Sequence, residues 1–280
     1  MTEKDTSAPA FEVLFEAPDL PAFDLPPELA AIYGGSLGFD GPRLFANFVA
    51  TLDGVVSIPS LPRSNRLIAA GSSADRFLMG LLRASADVIM IGSRTMAASP
   101  RSIWSPEQAF PDAAAGYAEL RRRAGLEPDL DVAVVSASGL LDPLHPVLQA
   151  GALVLTTAEG AGRLAGKLPD ENLVPLGPEG PIDPARIVRT LRDRGHRLIL
   201  SEGGPHAIGR LLEAGVVDEL FLTVSPLLVG RTVADPRFAL VEGADLLQSG
   251  AVGARLLGVR REVDHLFLRY ALGRQGQPQT

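Results

Sequence analysis

Short apolar runs alternate with amphipathic stretches along most of the chain. Residues 44–50, Leu44-Phe45-Ala46-Asn47-Phe48-Val49-Ala50, form a near-continuous apolar strand interrupted only at Asn47, and Thr51-Leu52-Asp53-Gly54 follows as a turn. Residues 75–84 predict a helix with Phe77, Leu78, Leu81 and Leu82 on one face. A buried strand at 88–91 ends in Gly92-Ser93-Arg94-Thr95. Residues 98–116, with Pro100, Pro106 and Pro111, read as loop; a helix at 117–124 leads to a strand at 131–135, and further strands lie at 153–157 and 173–176. Asp183-Pro184 opens a helix through Leu191, a capping residue placed before a first-turn proline. Residues 198–230 then hold a complete strand–helix–strand unit. Leu198-Ile199-Leu200 is a strand and Gly203-Gly204-Pro205 punctuates it. Ile208, Leu211 and Leu212 share a helix face, Gly215 ends the helix, and 220–224 is a second core strand. The pattern changes at the end, where 254–261 and 266–271 flank a polar turn as a hairpin.

This alternation predicts an α/β fold: a mixed, mostly parallel sheet flanked by helices and finished by an antiparallel hairpin. Residues 41–274 read as one domain. A Pro-rich arm, residues 1–40, precedes it, with apolar patches at 11–15 and 29–33 that can pack on the body; 275–280 is a short tail. Composition narrows the chemistry. The chain of 280 residues contains no cysteine, which excludes disulfides, a thiolate nucleophile and Cys-bearing zinc or iron–sulfur sites. Its four histidines are widely separated, so a His-rich metal centre is not expected. The formal net charge of -7 argues against a nucleic-acid partner, and no run is long enough for a membrane span. The first residues lack a basic segment followed by an apolar one, so the expected location is cytoplasmic.

Three strand ends combine polar residues with glycine: Asn47/Thr51/Asp53-Gly54, Gly92-Ser93-Arg94-Thr95, and Ser201-Glu202-Gly203-Gly204. Ligands of open α/β sheets bind beyond the carboxyl ends of strands. A glycine pair where a strand feeds a helix lets backbone approach a phosphate, although the same pair also serves an ordinary tight turn. Asp53 is equally a turn residue and a carboxylate beside a polar substrate. Glu202, an acid at the end of a buried strand, needs a partner or a ligand. Arg94 is a solvated loop charge or a phosphate-binding fork. His206 reads as solvent-facing, the run Arg121-Arg122-Arg123 as a solvated helix face, and Asp75 as a helix cap. No spacing argues for a Ser-His-Asp triad or a hydrolytic carboxylate pair. Two glycine-bearing turns flanking one pocket instead suit a nicotinamide dinucleotide that carries the chemistry.

The ordered blocks V-A-T-L-D-G (49–54), L-L-R-A-S-A-D-V-I-M-I-G-S-R-T (81–95), S-E-G-G (201–204), V-D-E-L-F-L-T-V-S-P-L-L-V-G (217–230) and L-F-L-R-Y (266–270) resemble the pyrimidine reductases of riboflavin biosynthesis. The resemblance spans about residues 43–272 and implies a dihydrofolate reductase-like fold, a homodimer, and NADPH as hydride donor to C1′ of a ribosylamino-pyrimidine 5′-phosphate. It implies a cofactor role for Gly92, Ser93, Arg94, Thr95, Gly203 and Gly204, with Ser136 or Ser138 near the adenosine 2′-phosphate. Asp53 and Glu202 would stand near substrate and nicotinamide as the catalytic pair, and Asn47 and Thr51 beside the substrate. The chain departs from the bifunctional enzymes in lacking their zinc deaminase and in carrying Asn47 where they usually show lysine. Their S-x-W-I-T-G-like segment is replaced by residues 62–71, so Arg63, Arg66 and Arg76 become the candidates for the substrate phosphate. Two alternatives stay open: a dihydrofolate or pterin reductase on the same fold, and a catalytically silent nucleotide-binding dimer.

Overall fold

The computed structural model describes residues 9–274 apart from Pro62 and Ser249; the 275–280 tail lies outside these. The strands are β1 (Glu12–Glu16), β2 (Arg43–Thr51), β3 (Val88–Gly92), β4 (Asp131–Val135), β5 (Leu153–Thr156), β6 (Leu173–Pro175), β7 (Leu198–Ser201), β8 (Glu219–Ser225), β9 (Val252–Glu262) and β10 (His265–Arg274). They form one 10-stranded sheet in the order β1-β9-β10-β8-β2-β7-β3-β4-β5-β6. From β8 to β6 every neighbour is parallel, while β8-β10, β10-β9 and β9-β1 are antiparallel. The mixed sheet with its closing hairpin is therefore present, at nearly the strand positions that the apolar runs indicate.

Helices cover both faces. In chain order they are α1 (Pro27–Tyr33), α2 (Ser64–Ile68), α3 (Ser73–Ala84), α4 (Ser93–Ala98), α5 (Pro106–Ala109), α6 (Ala114–Arg123), α7 (Pro146–Gln149), α8 (Ala158–Leu164), α9 (Pro184–Asp193) and α10 (Pro205–Glu213). Phe77, Leu78, Leu81 and Leu82 of α3 pack with Phe45, Ile89, Leu200 and Phe221 on one face of the sheet. On the other face Ile187, Leu191, Ile208 and Leu211 of α9 and α10 pack with Leu44, Met90 and Ile199. Residues 9–40 lie against the α3 face. There β1 adds to β9, and Phe11, Leu29, Tyr33, Leu37 and Phe39 are buried in the same core as α3.

Two local readings require correction. Residues 98–116 are not continuous loop: Ser105 caps α5 by accepting from the Gln108 N–H, Pro106 occupies its first turn, and α6 begins at Ala114. A four-residue helix has no room to display an apolar repeat, so its proline reads as a breaker when it is a starter. Arg121 is not solvated either. It is buried, and its guanidinium donates to the carbonyls of Ala86 (2.8 Å), Glu127 (2.8 Å) and Asp129 (3.0 Å), tying α6 to the turn between α3 and β3. Arg122 and Arg123 do remain on the surface, both paired with Glu119.

The ladders end unevenly at the carboxyl edge. The β7 ladder with β2 ends at Ala46↔Ser201, and its ladder with β3 at Met90↔Ser201. Strand β2 continues through Asn47 to Thr51 with only β8 beside it, and β3 continues to Gly92 beside β4. A notch is left over the end of β7. The connection after β2 runs through α3 on one face and that after β7 through α10 on the other, which is where α/β sheets open a crevice.

Substituting Arg121 by Ala should cost about 3 kcal/mol of stability by leaving buried carbonyls unpaired, whereas Arg122→Ala should cost under about 0.5 kcal/mol. Urea denaturation of the two variants measures the difference.

Candidate active site

Because β3 and β7 are neighbours, the two glycine-bearing turns meet. The Glu202 N–H donates to the Met90 carbonyl at 3.1 Å, and a Cβ placed on Gly204 would lie 3.9 Å from Thr95 Oγ1. Gly92 caps α4 in extended conformation, and a Cβ there would meet nothing within 4 Å, so its flank faces open space. Gly203 is required by packing: its Cβ would come within 2.9 Å of Ala207 Cβ. A cavity of about 80 Å³ between the sheet and α9/α10 is lined by Gly92, Val135, Ile187, Ser201 and Gly203. The Ser201 hydroxyl is buried there without a hydrogen-bond partner among the described residues. Ser136, beyond the end of β4, is also buried with an unpartnered hydroxyl. Ser138 is exposed, and its Oγ accepts from the Leu140 N–H at 3.3 Å within its own turn. Arg94 is exposed and forms no ion pair with any described residue, and Ser93 and Thr95 are half-buried beside it. Glycine backbone with open flanks, unspent hydroxyls and an unpaired guanidinium are the donors that a dinucleotide phosphate chain needs.

The two acids singled out in the sequence both have protein partners. Thr51 Oγ1 donates to Asp53 Oδ1 at 2.6 Å, and the carboxylate also accepts from the N–H groups of Gly230 (2.7 Å) and Val229 (3.3 Å). The Thr51 hydroxyl, followed by these backbone donors, holds the Asp53 carboxyl below the usual carboxylate range. Asp53 thus ties the loop after β2 to the loop after β8. Glu202 receives both branches of a fork from Arg83, Nε at 2.9 Å and a terminal nitrogen at 2.6 Å, and Arg83 also donates to the Ser105 carbonyl at 3.2 Å. This buried pair anchors the end of β7 to α3. Nothing in the sequence marks Arg83, since one arginine at the end of an apolar helix face reads as a terminal charge.

Asn47 is half-buried on β2 opposite Phe221, on the α3 side of the notch. Arg63 and Arg66 line one open groove of about 730 Å³ together with Leu67 and Leu227, while Arg76 stands exposed on α3 outside it. His206 is exposed, with its ring edge-on to Phe238 at 5.3 Å.

Asp75 is not the helix cap. That position belongs to Ser72, whose Oγ accepts from the Asp75 N–H at 3.1 Å, and the Asp75 carboxyl is buried instead. Burial pushes its pKa up from 3.8 to about 6, opposed first by the Thr223 hydroxyl beside it. The sequence signal was phase: residue 75 shares a helix stripe with Leu78 and Leu82.

The folded protein binds this proton more tightly than the unfolded chain, so the burial cost is present above pH 6 and disappears as pH falls toward 3.8. The move from 3.8 to about 6 corresponds to about 3 kcal/mol. Asp75→Asn should therefore stabilise the protein by up to about that amount at pH 8 and far less at pH 4.5, read by urea denaturation at both. Glu202→Gln should instead destabilise by about 3 kcal/mol by stranding the buried Arg83 charge, and Arg83→Met in the same chain should recover most of that loss.

Comparison with known proteins agrees with this geometry. The chain is 26% identical over 194 residues to the 2,5-diamino-6-ribosylamino-4(3H)-pyrimidinone 5′-phosphate reductase of Archaeoglobus fulgidus, covering 68% of this chain and 82% of that one. A pyrimidine reductase-like protein from Corynebacterium diphtheriae shares the fold with a TM-score of 0.63 at 22% identity, over 84% of this chain and 93% of that one. The Thermotoga maritima diaminohydroxyphosphoribosylaminopyrimidine deaminase/5-amino-6-(5-phosphoribosylamino)uracil reductase shares it with a TM-score of 0.58 at 15% identity, over 82% and 56%. The family model of the RibD C-terminal domain matches residues 42–255, which contain the ends of β2, β3, β4, β7 and β8. With that match over most of its length, the chain belongs to the RibD C-terminal domain family.

Proposed function

We propose that this protein is an NADPH-dependent reductase of a ribosylamino-pyrimidine 5′-phosphate, delivering hydride to the ribose C1′. The observation that carries the reading is the notch over β7, flanked by two glycine turns and floored by an unpartnered Ser201 hydroxyl, in a chain of this family. When bound, the nicotinamide supplies the hydride. The protein's own residues bind and orient. Gly92, Gly203 and Gly204 let backbone approach the pyrophosphate, with the Ser93 and Thr95 hydroxyls alongside. Arg94, exposed and without an ion pair among the described residues, takes the 2′-phosphate, and Ser136 or Ser138 lies toward the adenosine.

On the substrate side, Arg63 and Arg66 hold the 5′-phosphate in their shared groove, with Arg76 adding positive potential from α3. Asn47 and Thr51 border the ribosylamine. Asp53 and Glu202 serve the reaction as fixed charges: Asp53 locks the two loops that close the notch, and Glu202, neutralised by Arg83, sets the backbone of the Gly203 turn. Hydride addition at C1′ breaks the C1′–O4′ bond of the ring, and the released oxygen takes up a proton from water; no free general base is required, and positioning the reacting carbons about 3 to 3.5 Å apart supplies much of the acceleration. A second reading, reduction of a dihydropterin, is favoured by the inward carboxyl of Asp75, since a pterin also carries an amino group beside a ring N–H. A cytoplasmic homodimer completes the proposal, and sedimentation velocity reads the dimer.

Purified protein should consume NADPH with ribosylamino-pyrimidine phosphates and not with dihydropterins; the reverse result overturns the substrate assignment. Arg94→Ala should raise the NADPH dissociation constant about tenfold and the NADH constant less than about twofold, measured by fluorescence quenching. Equal effects on both cofactors would remove Arg94 from the 2′-phosphate site.

A further inference from the structure

Helix α2 and the turn after it form a wall of the groove that holds Arg63 and Arg66, and little in their own sequence keeps them in place. Five residues are too few for a stable helix in water. Arg63, just before the helix, has φ 55°, and Ala70, just past it, has φ 50°; both stand in the left-handed region, where a side chain is strained. The segment is therefore fixed from outside. On its inner side Ile68 packs with Val55 and Ile58, and the Ser64 hydroxyl accepts from the Ile58 N–H at 3.1 Å.

The far end is held differently. Ala69-Ala70-Gly71-Ser72 is a tight turn, closed by the Ser72 N–H on the Ala69 carbonyl at 2.9 Å and with positive φ at both central residues. Those two central residues line the groove, and the Gly71 N–H donates to the Arg66 carbonyl at 3.1 Å, so the turn and the backbone of Arg66 move together. A second donor reaches the Ala69 carbonyl: His265 Nε2, 3.1 Å away, from the first residue of β10. A carbonyl can only accept, so Nε2 carries the hydrogen. His265 is buried, its ring stacked on Phe267 with 6.3 Å between centroids, and β10 is paired on both sides by β8 and β9. A rigid strand thus grips the carbonyl from which the strained turn starts.

We propose that His265 is a positioning residue for phosphate recognition: through the Ala69 carbonyl it holds the 69–72 turn, and with it Arg66, in the geometry that receives the substrate's 5′-phosphate. The inference rests on the reductase reading above and on its placing of the phosphate in this groove. His265 does not line the groove itself, and its Nε2 hydrogen is spent on the protein. Arg63 and Arg66 are exposed and form no ion pair with any described residue. Two guanidinium groups on long stems meet one phosphate oxygen set together only where their backbone is already fixed, because ordering it on binding would be subtracted from affinity.

The test compares kcat and KM for 2,5-diamino-6-ribosylamino-4(3H)-pyrimidinone 5′-phosphate and for the same compound without its phosphate, with folding of each variant checked by thermal denaturation. His265→Phe keeps a ring and removes the donor. It should raise KM for the phosphate about tenfold with kcat within about twofold, and lower kcat/KM for the dephosphorylated compound less than about twofold. His265→Gln, whose amide reaches the carbonyl, should stay within about threefold of the wild type, while the shorter His265→Asn should lose as much as His265→Phe. Both amides are neutral, so the group facing Asp75 is uncharged in each, and this pair decides the matter if His265→Phe does not fold. Equal losses on both compounds, a fall in kcat at unchanged KM, or no difference between His265→Gln and His265→Asn overturns the inference. If neither compound is reduced, the reductase reading falls by itself, and calorimetry with ribose 5-phosphate decides the groove. Binding that Arg66→Ala abolishes and His265→Phe weakens about tenfold sustains the inference. Equal binding to the wild type and His265→Phe, or none to the wild type, overturns it.

Discussion

The early end of β7 is the constraint on which the site depends. A parallel strand that stops at Ser201 while its neighbours run on leaves the edges of Asn47–Thr51 and of the β3 terminus without a partner between them. Backbone polar groups at such an edge must find water or a ligand. The chain leaves the sheet there through two glycines: Gly203 lets α10 pack close behind the turn, and Gly204 leaves room beside Thr95. Everything proposed for the site is arranged around that gap: the Gly92 turn on one side, the Thr51–Asp53 loop on the other, and the Glu202–Arg83 pair behind it.

Charge is handled differently on the two sides of this boundary. Away from the notch, buried ions are neutralised within the protein, as in Arg269–Glu219 and in Arg121 with its ring of carbonyls. Such groups are expensive to strand but carry no chemistry. Along the carboxyl edge, the hydroxyls of Ser136, Ser201, Thr223 and Ser225 find no hydrogen-bond partner among the described residues, and Asp75 lacks a counter-ion among them. Unsatisfied polar groups gathered at the carboxyl edge of one sheet are better explained by ligands than by a general tolerance for poor bonding.

The elements were legible where their pattern was long. The strands of the parallel sheet and the final hairpin follow from apolar runs, and α3, α9 and α10 from their stripes. Short elements were not. Helix α5 is four residues, and β1 with its Glu-Val-Leu-Phe-Glu pattern is exposed along its length, so neither carries a periodic signal. Side-chain partners were less legible still. The sequence marks Glu202 as an acid in need of a partner, but nothing local points to Arg83, which is distant along the chain. Asp75, beside a capping serine, looked like the cap itself.

By itself, the sequence determined the α/β layering, the glycine turns at the strand ends and, through its ordered blocks, the family. These are local properties, set by the period of apolar residues and by backbone freedom at glycine. Tertiary structure decided what each polar residue is for. Whether an acid is a spent ion pair, a loop clamp or an open acceptor depends on the group that packing places opposite it. That group comes from another strand or helix, chosen by sheet order and register and by no neighbour in sequence.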